Sequence, residues 1–193
     1  MTDLLAEIFS SKVRAAVLSY MLPRPHLGFS LTDLSRRLNL PISSLQHECY
    51  KLEKNQILIA RRSGNARLYR VDPRNPLIDP LTALIVKAIG PDASLRGAID
   101  GVDGLELVFI TEDDVNPGAK LVVVGDLELE TLDSLTARAE KALGSAPNTV
   151  EIAFFQPDDW RTRIAQHNPY VWELLTGPRQ ILLDTKGRDN RPL

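Results

Sequence analysis

A short segment that begins after Pro41 carries polar side chains suited to contact with nucleic acid. Apolar residues recur there at helical spacing and predict one buried helix face, formed by Ile42, Leu45, Cys49 and Leu52. The other positions predict a polar face formed by Ser43, Ser44, Gln46, His47, Tyr50 and Lys51. The major groove of B-DNA is about 12 Å wide and accepts one such helix. Gln46 suits a bidentate contact with adenine, whereas hydroxyl and ammonium groups suit bases or phosphates.

Arginines dominate the segment that follows. The run QILIARRSGNARLYRVD predicts a β-hairpin, because two β-rich stretches flank a turn that contains glycine. The side chains suited to the DNA backbone or minor groove are Arg61, Arg62, Asn65, Arg67 and Arg70. Taken separately, a polar helix face and a basic hairpin are each typical of an ordinary solvated surface. Their order within one basic segment favours binding to DNA.

The elements around this pair would hold it in place. Apolar residues from Leu4 to Met21 predict a single amphipathic helix. Ser30 and Asp33 form a variant of the capping box, which predicts the start of a short helix. Asn39 suits the left-handed backbone of the tight turn before the next helix. A further helix is predicted from Leu77 to Ile89, after the hairpin.

Charge is distributed unevenly along the 193 residues. Residues 1–90 hold 13 Lys and Arg against 7 Asp and Glu, a net charge of +6. Residues 91–193 hold 10 against 18, a net charge of −8, so the chain sums to −2. A basic half joined to an acidic half predicts two domains with different partners. We place the first domain at 1–90, the second at 91–184 and a flexible tail at 185–193.

Composition excludes several classes of protein. The chain is 25% charged and 44% hydrophobic, which excludes wholesale disorder. The single Cys49 excludes an intramolecular disulfide and a CxxC zinc site, and its position predicts a small core residue. No apolar run approaches the roughly 20 residues of a membrane span, and the first residues lack a secretory signal. We therefore expect a soluble cytoplasmic protein with no membrane partner and no metal or other cofactor.

In the second half of the chain, several short continuous apolar runs replace the helical spacing of apolar residues. Short apolar runs at 105–110, 121–124, 149–155 and 180–183 predict buried strands. A helix is predicted at 129–143, and one or two helices at 157–176 with an interruption at Asn168-Pro169. Alternation of strands and helices indicates an α/β domain. Trp160 and Trp172 are predicted core or interface anchors, and His26, His47 and His167 have no plausible nucleophile partner by spacing.

The first 90 residues resemble the winged helix-turn-helix of arsenical-repressor-like prokaryotic regulators. The matching motifs are L-x-x-L-x-x-x-L-x-L in the first helix, L-x-x-L-x-x-N at the end of the second, and a basic hairpin that ends in Y-R-V-D-P-x-x-P. The resemblance implies that the second helix enters the major groove while the hairpin wing flanks it, usually in a homodimer. No paired Cys or His cluster is present, which disfavours metal sensing.

The second half resembles a small nucleotidyltransferase-like domain through G-L-E-L-V-F-I, L-V-V-V-G-D, V-E-I-A-F-F-x-P-D-D-W and N-P-Y-V-W-E-L-L-x-G-P. Active members of that superfamily carry Gly-Ser after the first strand and an Asp-x-Asp pair that holds Mg²⁺ on the second. Here Thr111-Glu112-Asp113-Asp114 replaces Gly-Ser, and Gly118 and Lys120 fall at the aspartate positions. Glu151 stands near the third carboxylate. The acidic trio is a solvated loop or, alternatively, a separate Mg²⁺ site.

These patterns predict a mixed α+β or α/β chain, with an N-terminal winged helix-turn-helix and a small mixed-sheet nucleotidyltransferase-like domain. The function expected from them is a sequence-specific DNA-binding transcriptional regulator whose second domain is a pseudoenzyme that senses an effector or oligomerises. Its partners would be double-stranded DNA, a second copy of the chain and a small-molecule or nucleotide effector, with Lys120 as the nucleotide contact. One alternative is an active nucleotidyltransferase that docks its substrate on the winged helix. Another is an interaction module without a DNA target.

Overall fold

The computed structural model describes residues 2–111, 120–144 and 150–186, with only the backbone of residues 2 and 3. These residues form a mixed α+β fold with two sheets. It divides into two compact units, Met1–Ala98 and Ile99–Leu193. The division therefore lies beyond the predicted position at residue 90. One cause is a contact between residues far apart in sequence. The Gly97 backbone packs so closely on Pro23 that a Cβ on Gly97 would lie 2.7 Å from Pro23 Cβ, and this contact keeps α6 with the first unit.

The first unit contains most of the helices and a two-stranded sheet. Its elements are α1 (Thr2–Ile8), α2 (Lys12–Met21), α3 (Leu31–Leu38), α4 (Ile42–Lys54), β1 (Leu58–Ser63), β2 (Ala66–Val71), α5 (Ile78–Ile89) and α6 (Pro91–Ile99), which ends one residue into the second unit. The sequence pattern did not predict α6, because Gly90-Pro91 ends the apolar periodicity of α5, although proline also suits the first position of a new helix.

The prediction of a single helix from Leu4 to Met21 is wrong, because two helices occupy that stretch. Ser10 adopts a left-handed backbone with φ of 52°, which interrupts the helical path. Ser11 then caps α2, since its hydroxyl accepts a hydrogen bond from the Arg14 backbone N–H at 3.2 Å. The apolar spacing continues across the break, and periodicity alone therefore did not reveal it.

The turn between α3 and α4 follows the predicted chemistry. The Asp33 N–H donates to the Ser30 hydroxyl, and the Asp33 carboxylate accepts from the Ser30 N–H, which completes the capping box. Asn39 ends α3 in the left-handed region with φ of 53°. Pro41 stands at the N-cap of α4. These three predictions are confirmed, and together they fix the path of the chain from α3 into α4.

The predicted hairpin is also confirmed. β1 pairs antiparallel with β2 from Leu58↔Val71 to Ser63↔Ala66, leaving Gly64 and Asn65 as the turn. Phe29 adds an isolated bridge to Tyr69 on the outer edge of β2. The hairpin is thus attached to the helical core at its base, while its tip projects beyond that attachment.

The core of the first unit is formed by apolar faces of these helices and the hairpin base. Val17, Leu34, Leu45, Cys49 and Ile85 are completely buried there. Burial raises the pKa of the Cys49 thiol to about 12. Cys49 is therefore an inert core residue, as its place in the apolar stripe predicts.

The second unit is built on a four-stranded mixed sheet of order β5-β4-β3-β6. β4 and β5 are parallel, whereas β3 is antiparallel to both β4 and β6. Its elements are β3 (Leu105–Thr111), β4 (Lys120–Gly125), α7 (Leu129–Leu143), β5 (Glu151–Phe155), α8 (Pro157–Ala165), α9 (Pro169–Thr176) and β6 (Arg179–Asp184). All four predicted strands and the predicted 129–143 helix are confirmed, and the predicted break at Asn168 is the N-cap of α9.

Aromatic packing defines the core on one face of this sheet. Trp160 of α8 is buried, with ring centroids 4.9 Å from Phe155 and 6.3 Å from Phe109. This confirms the predicted core role of Trp160. Trp172 is partly buried and lies 5.4 Å from the His167 ring. Within the described residues, no helix is long and apolar enough to cross a membrane.

Candidate nucleic-acid interface

α4 presents a polar stripe to solvent opposite its buried face. Ser43, Gln46, His47 and Tyr50 are all exposed, and Tyr50 keeps 62% of its surface accessible. An aromatic ring this exposed on a helix has an apolar body and a hydroxyl free for contact with a partner. Four of the six predicted side chains on this helix therefore share one accessible face.

The other two predicted side chains of α4 lie on its flank. Ser44 is partly buried, and the Lys51 ammonium lies 3.8 Å from the carboxylate of Glu48. Glu48 is only 7% exposed and also accepts a hydrogen bond from Arg14 Nε at 2.9 Å. Because a buried carboxylate must be paired to be tolerated, Glu48 draws Arg14 and Lys51 together between α2 and α4.

Lys54 belongs to the exposed stripe but was absent from the predicted set. It lies one turn after Tyr50 and two turns after His47, is exposed, and makes no ion pair with the described residues. The signal was present in the sequence as the spacing i, i+3/i+4 and i+7 along one face. Its position in the last helical turn also places a cation where the helix dipole favours one.

The hairpin arginines divide between its two faces. The register pairs Arg62 with Arg67, on the same face as the neighbouring pair of partly buried Ala60 and buried Tyr69. Arg61 and Arg70 project from the opposite face. All four guanidinium groups are exposed, as is Asn65 in the turn. The alternation of side chains along each strand thus places on two faces the arginines that the sequence analysis grouped as one set.

Arg67 is held by α4. Its Nη2 donates to both carboxylate oxygens of Glu53, at 2.7 and 2.6 Å, and its guanidinium lies 5.5 Å from the Tyr69 ring. The hydrogen bond to Glu53 raises the pKa of Arg67 further. Arg67 therefore links the hairpin to the C-terminal turn of α4, and its charge is already compensated.

The remaining hairpin arginines keep their charge available. Arg61, Arg62 and Arg70 make no ion pair with any residue in the described part of the chain. The carboxylates close to this surface are engaged elsewhere: Glu48 with Arg14, Glu53 with Arg67, and Asp72 with Arg74 at 2.9 Å. Arg62 shares the hairpin face of Arg67, which is tied to α4, whereas Arg61 and Arg70 lie on the opposite face. The hairpin consequently carries excess positive charge next to the α4 stripe, which suits a polyanion.

Lys120, the predicted nucleotide contact, has a partner in the second unit. It faces Glu151 across the parallel strands β4 and β5, with 3.0 Å between Nζ and Oε1. That hydrogen bond raises the pKa of Lys120, and the ammonium also lies 5.3 Å from the Tyr170 ring. The two residues singled out from the motif thus neutralise each other at one end of the sheet.

The described residues at this position do not fit a pair of Mg²⁺ ions. Two-metal chemistry needs several carboxylates around the ions, and Glu151 is the acid that reaches this point, already paired with a lysine. Glu112, Asp113, Asp114 and Gly118 lie outside the described residues. No group of three or more His, Cys, Asp or Glu able to hold a metal occurs within the described ranges.

Comparisons with known proteins give no assignment. No protein-family model, curated protein or solved structure matches the chain.

Proposed function

We propose that the chain is a sequence-specific DNA-binding transcriptional regulator whose first unit is a winged helix-turn-helix. In this proposal α3, the Asn39 turn and α4 form the helix-turn-helix, and β1 and β2 form the wing. α4 enters the major groove with Ser43, Gln46, His47 and Tyr50 toward the bases, while Arg61 and Arg62 contact the backbone or minor groove.

One observation carries this proposal: the helix that exposes the polar stripe is joined directly to a hairpin that carries uncompensated arginines. The ion pair between Arg67 and Glu53 ties the hairpin to α4. A helix for base edges and adjacent cations for phosphates are the two parts that specific DNA binding requires.

We propose that the regulator acts as a homodimer. A single winged helix buries only about 600–1,000 Å² on DNA, so tight specific binding usually needs two copies. The first unit exposes Leu4 and Ile8 on α1, which packs against α5. It also exposes Leu77, the N-cap of α5, and Leu84 within α5. Large apolar residues exposed on two neighbouring helices are suited to burial against a second copy.

The second unit, in this proposal, serves effector binding or oligomerisation without nucleotidyl transfer. The pairing of Lys120 with Glu151 supports this assignment, because it occupies the carboxylate nearest to the expected metal position. Its acidic composition also repels a polyanion. DNA contact is therefore assigned to the first unit alone.

The deciding experiment is a selection from a random duplex library with the full chain. Sequencing of the bound duplexes should recover a pseudo-palindrome with half-sites about one helical turn apart. Enrichment should disappear in the Gln46→Ala/His47→Ala variant and persist in Lys141→Gln, an exposed lysine of α7 in the second unit. A library recovered without enrichment would overturn the assignment as a sequence-specific regulator.

A further inference from the structure

A cavity of about 410 Å³ lies in the first unit where α2, α4 and α5 meet. Its floor is apolar and is formed by Phe9, Leu18, Leu52, Ile57 and Leu81. Its volume falls within the roughly 300–1,000 Å³ typical of small-molecule sites. Lys54 of the exposed α4 stripe also lines this cavity, but the apolar lining is not explained by the proposed DNA interface.

The rim of the cavity is cationic. Arg14, Lys51 and Lys54 line it, and none of its described lining residues is a carboxylate. Glu48 adjoins the rim, bound to Arg14 at 2.9 Å and 3.8 Å from Lys51. Glu48 thus pairs with two of the three cations, and Lys54 has no ion pair with the described residues. The rim therefore retains positive charge next to an apolar floor.

We propose that this cavity binds an amphiphilic monoanion, a carboxylate carried on a hydrocarbon body. The floor would bury the hydrocarbon, which the hydrophobic effect favours in proportion to its area. Lys54 and Lys51 would hold the carboxylate by charge-assisted hydrogen bonds. A neutral hydrocarbon would leave the rim uncompensated, and an inorganic anion would leave the floor unfilled, so neither satisfies both parts of the site.

The same ligand would regulate the DNA interface. Its carboxylate competes with Glu48 for Arg14 and Lys51, and Glu48 is part of α4 itself. Release of Glu48 changes the flank of the helix that carries Ser44 and Lys51. Binding of the ligand and of DNA are then linked, each changing the affinity of the other by the same factor. This coupling rests on the proposed function, whereas the ligand site does not.

The site is tested by calorimetric titration of the full chain with octanoate, and with octanamide as an uncharged molecule of equal length. Octanoate should bind once per chain and at least about tenfold more tightly than octanamide, as expected for charge-assisted hydrogen bonds. Lys51→Gln/Lys54→Gln should weaken octanoate binding about fivefold, the scale of an exposed ion pair. The matched control Lys87→Gln should bind octanoate as the native chain does. Absence of octanoate binding at millimolar concentration, or equal binding of both probes, overturns the site.

A second variant tests the floor independently of charge. Leu81→Trp should fill the cavity and abolish octanoate binding, while circular dichroism verifies that the variant is folded. Retention of native affinity in folded Leu81→Trp overturns the assignment to this cavity. With the selected duplex, saturating octanoate should shift the DNA Kd about fivefold or more. An unshifted Kd overturns the coupling but not the site, whereas failure to bind any duplex counts against the proposed function instead.

Discussion

Arg67 in β2 donates to both carboxylate oxygens of Glu53 in the last turn of α4, at 2.7 and 2.6 Å. The two residues are 14 positions apart in sequence, and their pair sets the hairpin against the helix. Because both side chains are substantially exposed, the pair contributes little to global stability, less than about 1 kcal/mol. Its consequence is electrostatic, because Glu53 compensates the charge of Arg67 but not the charges of the other hairpin arginines.

The salt dependence of DNA binding should separate these arginines. Each phosphate contact contributes about −0.9 to the slope of log K against log salt concentration. Arg61→Ala/Arg62→Ala should therefore flatten the slope by up to about 1.8. Arg67→Ala should change it by less than about half a unit, because Arg67 is already neutralised by Glu53. Fluorescence anisotropy across a series of salt concentrations measures both slopes.

Lys141→Ala is the control, because it removes one exposed cation in the second unit. Its slope should equal that of the native chain. An isotherm unchanged in Arg61→Ala/Arg62→Ala would contradict the assignment of the hairpin as a DNA-binding wing.

Base recognition should depend on Gln46. This side chain is exposed in the middle of the α4 stripe and can form two hydrogen bonds to one adenine. Gln46→Ala should cost about 1–3 kcal/mol on the preferred duplex and should relax the preference at one position of each half-site. Competition with single-base variants of the selected duplex measures this. Equal loss of affinity on all sequences would instead assign Gln46 to phosphate contact.

The local features of the fold could be predicted from sequence, because they depend on neighbouring residues. The capping box at Ser30, the left-handed Asn39 and the hairpin turn each follow from a few adjacent side chains. The break at Ser10 could not, because the apolar spacing continues across it. The close packing of Gly97 on Pro23 also depends on a contact between residues far apart in the chain.

The candidate interface was predictable in its residues but not in its electrostatics. Helical spacing identifies the face with Gln46 and Tyr50, and would also have identified Lys54. Which cations are free depends on tertiary partners: Glu53 compensates Arg67, and buried Glu48 draws Lys51 to the flank of α4. Such pairings join different elements, so one-dimensional spacing does not reveal them.

The capping box should contribute measurably to stability. Ser30→Ala should lower the free energy of unfolding by about 1 kcal/mol at neutral pH, because one N-terminal amide loses its partner. Urea unfolding measures this, with Thr32→Ala, an exposed residue of the same helix, as the control. A variant as stable as the native chain would contradict the role of the Ser30 side chain.

The same contact gives a pH dependence of stability. The side-chain hydrogen bond from Ser30, followed by its backbone hydrogen bond, holds the pKa of Asp33 below its usual value of 3.8. Because the folded pKa is depressed, the contribution of Asp33 is present above the unfolded pKa and is lost as pH falls through the folded pKa. The difference in unfolding free energy between native and Ser30→Ala proteins should therefore shrink when measured below pH 3.8. A difference that is constant with pH would contradict this linkage.

Self-association should depend on the exposed apolar residues of α1 and α5. Leu4→Glu/Leu84→Glu places charges on both helices without removing a buried side chain, since both leucines are exposed. We expect the native chain to be a dimer by light scattering at micromolar concentration and this variant to be a monomer. Ala83→Glu, a change at a neighbouring exposed position, tests whether charge alone on α5 is sufficient. A native chain that is monomeric with and without DNA would contradict the proposed dimer.

Catalysis should be absent from the second unit. Incubation with Mg²⁺ and labelled nucleoside triphosphates should give no nucleotidyl transfer, because Glu151 is paired with Lys120 at 3.0 Å and two-metal chemistry needs further carboxylates about this point. Any transfer that Glu151→Ala abolishes would overturn the assignment as a pseudoenzyme.

Binding of a nucleotide without turnover should depend on the ion pair between Lys120 and Glu151. A triphosphate that contacts Lys120 must displace Glu151, so Glu151→Gln should strengthen binding, whereas Lys120→Ala should abolish it. Lys141→Ala, an exposed lysine of α7, serves as the control for a general loss of charge. Calorimetric titration of the nucleotide measures all three variants. Binding lost in Lys120→Ala and retained in Lys141→Ala would support nucleotide sensing by this unit. Equal binding in Lys120→Ala and the native chain would exclude Lys120 as the contact, because removal of a contacting ammonium should lower the affinity for the nucleotide.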